Sequence, residues 1–258
     1  MPDASVQKLV FTAEERSHLR SELLKYATKD KRISGAAITG SAAAEKEDRW
    51  SDIDLAFGIS KAEDVANVVA DWTAYMYADH FALHHVDVKS GNWLYRVFFV
   101  PNSLQVDLAF VPAHDFRALA PTFRLVFGNA NDPHHSPTVP ADSLIGMCWL
   151  YALHARACIE RGRLWQGEYM ISDVRDHVLA LSCVRHGLPS VHGRGMDQLP
   201  EGVRTQFENS FVKQLDKAEL SRAFQVVVIG LLSEIRSVDQ QLAAKLEPTL
   251  GLLTNIQS

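Results

Sequence analysis

The 258 residues contain no run of about eighteen apolar residues, so nothing in them reads as a membrane-spanning helix. Cysteine is scarce: Cys148, Cys158 and Cys183 are odd in number, lie in apolar helical surroundings and have no Cys-x-x-Cys spacing. That argues against a disulfide framework and for reduced core thiols. Basic residues are outnumbered, 26 Lys and Arg against 31 Asp and Glu, for a net charge of -5 with no basic tract. A general nucleic-acid binder needs a clustered basic surface, so no stable nucleic-acid partner is expected. The start, Met1-Pro2-Asp3-Ala4-Ser5, lacks the basic and apolar regions of a secretory signal, and a cytoplasmic location is expected. Internal repeats and low-complexity segments are missing too.

What is there begins with acids. The apolar run Ile33 to Ile38 reads as a strand and is followed by the turn Thr39-Gly40-Ser41; ten residues later comes Trp50-Ser51-Asp52-Ile53-Asp54-Leu55. Residues i and i+2 of a strand project from one face, so Asp52 and Asp54 converge while Ile53 and Leu55 go to the other side. A glycine lets phosphate approach the backbone, and Ser41 and Ser51 can donate hydroxyl hydrogens. Magnesium prefers oxygen ligands and leaves room for substrate phosphates, so one or two carboxylates are the usual protein contribution. The pattern suits a divalent metal carrying a triphosphate.

Gly40-Ser41, a ten-residue spacer and Asp52-Ile53-Asp54 together resemble the signature of the DNA polymerase beta-like nucleotidyltransferase superfamily, and Ser51-Asp52-Ile53-Asp54-Leu55 is similar to its wording. The resemblance implies a third acid on a later strand. Trp93 to Val100 and Leu104 to Val111 are strand candidates joined by the turn Pro101-Asn102-Ser103, a hairpin pattern, and Asp107 interrupts the apolar run of the second. An unpaired buried charge there would be costly, and a metal would neutralise it. Asp87, in Val86-Asp87-Val88, has the same local pattern and is the rival; Asp107 is preferred for its longer strand and better hairpin.

Chain length suggests two domains, taken as 1–135 and 136–258. Thr12-x-x-Glu15 is a capping box opening a helix with Leu19, Leu23 and Tyr26 on one face. Ser60-x-x-Glu63 opens another, with Val65, Val68, Val69, Trp72 and Met76 as its apolar side. Strands are expected at about 33–39, 51–58, 84–89, 93–100 and 104–111, so the first half is an α+β mixed sheet with flanking helices. After the loop Asn129 to Pro140, strand signals nearly disappear. Helices are expected to end at Gly162, to cover Leu164 to His186, and to cover about 217–245, with Val178 to Val184 apolar all round and central in a bundle. His80 and His84, with His85 adjacent, mimic a zinc spacing, but the segment runs into a strand; His134-His135 lies in a Pro-flanked loop and says little.

A mixed half followed by a helical bundle resembles, within that superfamily, the aminoglycoside and lincosamide nucleotidyltransferases. The resemblance implies a magnesium-dependent transfer of a nucleoside monophosphate, with ATP as the expected donor, to a hydroxyl of such an antibiotic or another small molecule, and release of pyrophosphate. Asp52, Asp54 and Asp107 would hold the ions, with Gly40, Ser41 and Ser51 around the phosphates. The third acid of similar enzymes can also serve as general base, which makes Asp107 the candidate and leaves Glu168 as the alternative. Glu168, Ser172, Arg175 and Asp176 fall on one helical face; Arg175 suits a nucleotide contact, and Glu168 or Asp173 an amine or hydroxyl of the acceptor, unless the stripe is simply solvated. Arg185, His186, Arg194 and Lys213 could also meet phosphate, but nothing in the sequence places them. A protein acceptor, or a regulatory module of the antitoxin kind, are the competing readings, and the chain is expected to be a monomer or homodimer.

Overall fold

The computed structural model describes residues 10–134 and 139–256. Residues 1–5 and His135, which entered the sequence reading, lie outside them. The chain divides into two compact units, Met1–Ser136 and Pro137–Ser258.

The first unit is a six-stranded mixed sheet with helices. Its opening helix α1, Ala13–Lys29, starts where Thr12 accepts from the Glu15 amide at 3.1 Å and Glu15 Oε2 accepts from the Thr12 amide at 2.9 Å. This reciprocal box satisfies two otherwise orphaned donors. Strand β1, Ile33–Thr39, leads into a single turn of helix, α2, Gly40–Ala43, and strand β2 covers Ile53–Ile59. Helix α3, Val65–Asp79, then precedes three strands: β3, His84–Ser90, β4, Trp93–Phe99, and β5, Gln105–Pro112. A sixth strand, β6, Phe123–Gly128, pairs antiparallel with β1. The spatial order is β3-β4-β5-β2-β1-β6, and the β2–β5 pair is parallel.

Alternation along the strands sorts the two faces. Ile53, Leu55, Phe57 and Ile59 of β2, with Val106, Leu108 and Phe110 of β5, are buried in one core cluster with Leu23 of α1 and Val68, Val69, Trp72 and Met76 of α3. Trp72 is its hub: its ring lies 4.6 Å from Phe57, 5.0 Å from Tyr26 and 5.9 Å from Phe110. On the opposite face the side chains are small. Ala37, Ala56 and Ala109 pack with Trp93, Val111 and Phe116. The Phe116 ring lies so close to Gly35 and Gly58 that an added Cβ at either would meet it at 2.8 Å.

The second unit is helical: α4, Ala141–Glu160, α5, Leu164–Arg185, α6, Glu201–Glu208, α7, Lys217–Val238, and α8, Gln240–Leu253. Helix α5 packs against both α4 and α7 and buries Ile171, Val174, Val178 and Leu181, while α7, which meets α4, α5, α6 and α8, takes the central place expected of α5. At the end of α5, Arg185 donates two hydrogen bonds to the buried Glu234 of α7, at 3.0 and 2.8 Å. Among the described residues, no helix is long and apolar enough to cross a membrane.

Three boundaries differ from the sequence expectations. Strand β2 starts at Ile53, so Asp52 lies just ahead of it rather than within it. Residues Ala62–Asp64 form a 3-10 turn before α3, and Ser60 does not cap that helix. The expected helix over 217–245 is two helices parted at Asp239, whose carboxylate accepts from the Leu242 amide at 2.9 Å and starts the second. His80 ends α3 while His84 and His85 begin β3, the strand into which the sequence reading ran this segment. Strand β6 was not expected at all.

Phe57 touches two other rings at the centre of the first unit's core, and truncation there leaves a cavity the rigid sheet cannot close. Phe57→Ala should cost about 3–5 kcal/mol. Urea unfolding followed by tryptophan fluorescence measures it, and a loss below about 1 kcal/mol would contradict this packing.

Candidate active site

Parallel pairing of β2 with β5 sets the site's geometry. Asp54 and Asp107 are partners in the ladder, so they project from the same face of adjacent strands, with backbones roughly 5 Å apart. Leu55 pairs with Leu108, Leu108 with Arg96, and Arg96 with Asp87, which carries Asp87 to the other face. There Asp87 accepts two 2.7 Å hydrogen bonds from Arg96, which also donates to Thr73 Oγ1 of α3. Arg96 holds the Asp87 carboxyl below its usual range. The rival acid is thus committed to a structural fork, while Asp107 shares a face with Asp54.

Gly40, the first residue of α2, closes on Asp54. It has a φ of +64°, and a Cβ added to it would fall 2.0 Å from Asp54 Oδ2. The glycine therefore supplies both a left-handed backbone and the empty space in which the Asp54 carboxylate sits. Asp52 is tied in from β5, where Gln105 Nε2 donates to its Oδ2 at 3.3 Å.

The electrostatics concentrate at Asp107. Burial, then the neighbouring Asp52 charge, push its carboxyl up to about 6. Oxygen Oδ1 is buried without a hydrogen-bond partner. Tyr95 is raised by burial and then by the Asp107 charge, so the phenol faces the acid as a neutral group. A buried acceptor left unsatisfied costs roughly 1–3 kcal/mol, and more if charged. This is a place that a proton or a cation would stabilise. Among the described residues, no group of three or more His, Cys, Asp or Glu side chains is already gathered tightly enough to hold a metal ion.

The two serines of the motif differ. Ser41 lies in α2, and its carbonyl accepts from the Lys46 amide at 2.9 Å. Ser51 uses its hydroxyl locally, accepting from the Asp48 amide at 2.9 Å and donating to Asp48 Oδ1 at 3.1 Å, so it closes the 48–51 turn. Next to it, Arg49 rests over the Phe11 and Trp50 rings at 5.1 and 5.2 Å, and Trp50 is 72% exposed.

The remaining candidates stand on α5 in the second unit. Glu168 accepts from Ser172 at 2.8 Å, and Ser172 accepts from Arg175 Nη2 at 3.0 Å. Arg175 is buried, stacks 4.3 Å over Phe211 and donates to the Ser210 carbonyl at 3.5 Å. A nucleotide contact would require Arg175 to exchange these partners. Asp173 is raised by burial, with His177 opposing the shift. Arg185 is taken by Glu234.

One residue near the site went unnoticed in the sequence. Arg16 of α1 is only 4% exposed, and its Nη1 donates to the carbonyls of Asp48 and Ser51 at 2.8 and 2.9 Å. A signal was present: position 16 lies one helical turn from Leu19 and two from Leu23, so a charge sits on the helix's apolar stripe.

Two solved structures align with the chain over much of its length. An aminoglycoside 6-adenyltransferase from Bacillus subtilis is 11% identical, aligning over 95% of this chain and 100% of that one with a TM-score of 0.41. A nucleotidyltransferase-like protein from Exiguobacterium sibiricum is also 11% identical, over 88% of this chain and 78% of that one, with a TM-score of 0.38. No family model and no curated protein matches the chain. At such scores the residues, not the likeness, carry the assignment.

The sign of the Asp107 shift makes a prediction. Its folded carboxyl titrates near 6 against an ordinary 3.8, so the folded protein binds the extra proton between those values. Stability from this group is then greatest below about pH 4 and falls as pH rises to about 6, by on the order of 2–3 kcal/mol. Asp107→Asn should remove that loss. In metal-free buffer it should melt higher than wild type at pH 7.5 and show little of that advantage at pH 4; a constant difference across the range would refute the shift.

Proposed function

We propose that this chain is a magnesium-dependent nucleotidyltransferase, which moves a nucleoside monophosphate, AMP from ATP, onto a hydroxyl of a small molecule such as an aminoglycoside or lincosamide. The observation that carries the reading is the pair of side-by-side acids, Asp54 and Asp107, with a buried Asp107 oxygen lacking any hydrogen-bond partner. Carboxylate oxygens are the donors magnesium prefers, and two suffice because phosphate oxygens and water complete its shell. Asp54 and Asp52 would hold the ion and Asp107 would complete the set. Bound there, magnesium supplies charge neutralisation for the triphosphate and acidifies the attacking hydroxyl.

The chain's own residues divide the remaining work. Gly40 leaves room beside Asp54, and the Ser41 hydroxyl is available as a donor to phosphate. Asp107, beside Asp54 and with an oxygen that has no hydrogen-bond partner, is the candidate to take the proton from the acceptor hydroxyl. As that proton leaves, the acceptor oxygen bonds to the α-phosphorus and the bond to pyrophosphate breaks. The small, apolar side chains around the acids, Ala56 and Ala109, limit competing hydrogen bonds. For the acceptor, Glu168 and Asp173 supply negative charge that suits an amine-bearing molecule, and Trp165 and Tyr169 on the same helix are exposed aromatic surfaces.

Labelled triphosphates incubated with purified protein, magnesium and a panel of aminoglycosides, lincosamides and metabolites would test the reading by product mass. Asp54→Asn should lower transfer at least a thousandfold while the protein stays folded; turnover like that of wild type at saturating magnesium would defeat the proposal. A labelled protein product in place of a small one would redirect it to a macromolecular acceptor.

Glu168→Gln should act on the acceptor alone. Losing a charge-assisted contact is worth on the order of 1.5–3 kcal/mol, so acceptor affinity should fall roughly ten- to a hundredfold. Calorimetric titration with a nonhydrolysable triphosphate should show no change. If acceptor affinity is also unchanged, Glu168 is only Ser172's partner.

A further inference from the structure

We propose that Arg16 is a positioning residue for the metal-binding acids, acting through the backbone of the segment 47–51. The inference deepens the nucleotidyltransferase reading and rests on it. Asp52 lies ahead of β2, outside the sheet's ladder, so the strand does not fix its backbone. What fixes it is the turn before it. The turn closes on itself through Ser51 Oγ and Asp48, with the Trp50 amide donating to Asp48 Oδ1 at 2.8 Å. It is then fastened to α1 by one guanidinium nitrogen, Arg16 Nη1, which reaches the carbonyls at both ends of the turn.

The clamp is held from behind. Arg16 Nε lies 3.1 Å from Glu47 Oε1 without hydrogen-bond alignment, so that attraction is coulombic. Arg20 donates to the same Glu47 oxygen at 2.6 Å. A buried guanidinium, even one facing Glu47 with Asp48 nearby, is an expensive way to stabilise a helix, since apolar residues would pack there at less cost. Its value lies in donors arranged to hold two carbonyls at once, which a lysine ammonium on a flexible stem does not reproduce. Loosening the turn should move Asp52 relative to Asp54 and Asp107 and weaken their joint hold on a cation, while leaving the reacting groups in place once the metal saturates.

Two readouts test this in the full chain. Lys46 and Arg49 lie in or beside the clamped segment, so trypsin reports its tethering without reference to activity. In Arg16→Lys, cleavage after those residues should quicken at least fivefold. The dissociation constant for manganese, used alone as a paramagnetic probe for the site, should rise about tenfold, and kcat at saturating metal should stay within about threefold of wild type. Should Arg16→Lys fail to fold, Glu47→Gln carries the same test with Arg16 in place, and shifts of about two- to threefold are expected. Asp54→Asn should lose manganese without faster cleavage. Wild-type protein that binds no manganese would overturn the metal reading and this inference with it; wild-type binding matched by unchanged binding in the folded variants would overturn this inference alone.

Discussion

A parallel pair of strands places two carboxylates in one row, and the rest of the first unit is built around tolerating that. In β2 and β5 the register matches Ile53 with Val106, Asp54 with Asp107 and Leu55 with Leu108. The apolar partners fill one face and leave the acids no choice but the other. Burial makes the charged form of Asp107 costly, and the nearby Asp52 charge adds to that cost. One acid responds by holding its proton to higher pH. Such an arrangement is poor engineering for stability alone, and sites of function are where such costs are usually met.

Packing on the two faces reflects this division of labour. The helix side carries large rings, with Phe57, Phe110 and Trp72 in mutual contact. On the acid side alanines and glycines dominate the central strands, covered at one end by Phe116 over Gly35 and Gly58. Small residues let the sheet's own backbone lie close to whatever occupies that face. Edge strand β3 contributes Asp87 to the other face, where Arg96 neutralises it.

Legibility in the sequence followed the range of the interactions. Local signals were readable: the Thr12 box, the strands near β3, β4 and β5, and the helix ends at Gly162 and Gly187, where both glycines adopt positive φ. Gly40 and Asp54 could be proposed as neighbours from their spacing, although the contact itself came only with the fold. Strand β6 escaped because its sole partner is β1, about ninety residues earlier, and its side chains are mostly exposed, so no hydrophobic alternation marks it. The break at Asp239 was masked by apolar periodicity that continues on both sides of it. Choosing between Asp107 and Asp87 needed the sheet order, since each acid sits between apolar neighbours and only the ladder tells which face it takes. Arg16 was overlooked although its charge interrupts the apolar stripe of α1, because the carbonyls it holds lie more than thirty residues away and the sequence does not bring them beside it.

Gly40 bears on how the acid beside it is oriented. Hydrogen bonds such as that from Gln105 to Asp52 weaken when the acceptor is protonated, and ion pairs fade as salt rises. The hollow that receives Asp54 exists because Gly40 has no side chain, and an absence of atoms neither titrates nor is screened. The room for the Asp54 carboxylate beside Gly40 is therefore the same at every pH and ionic strength.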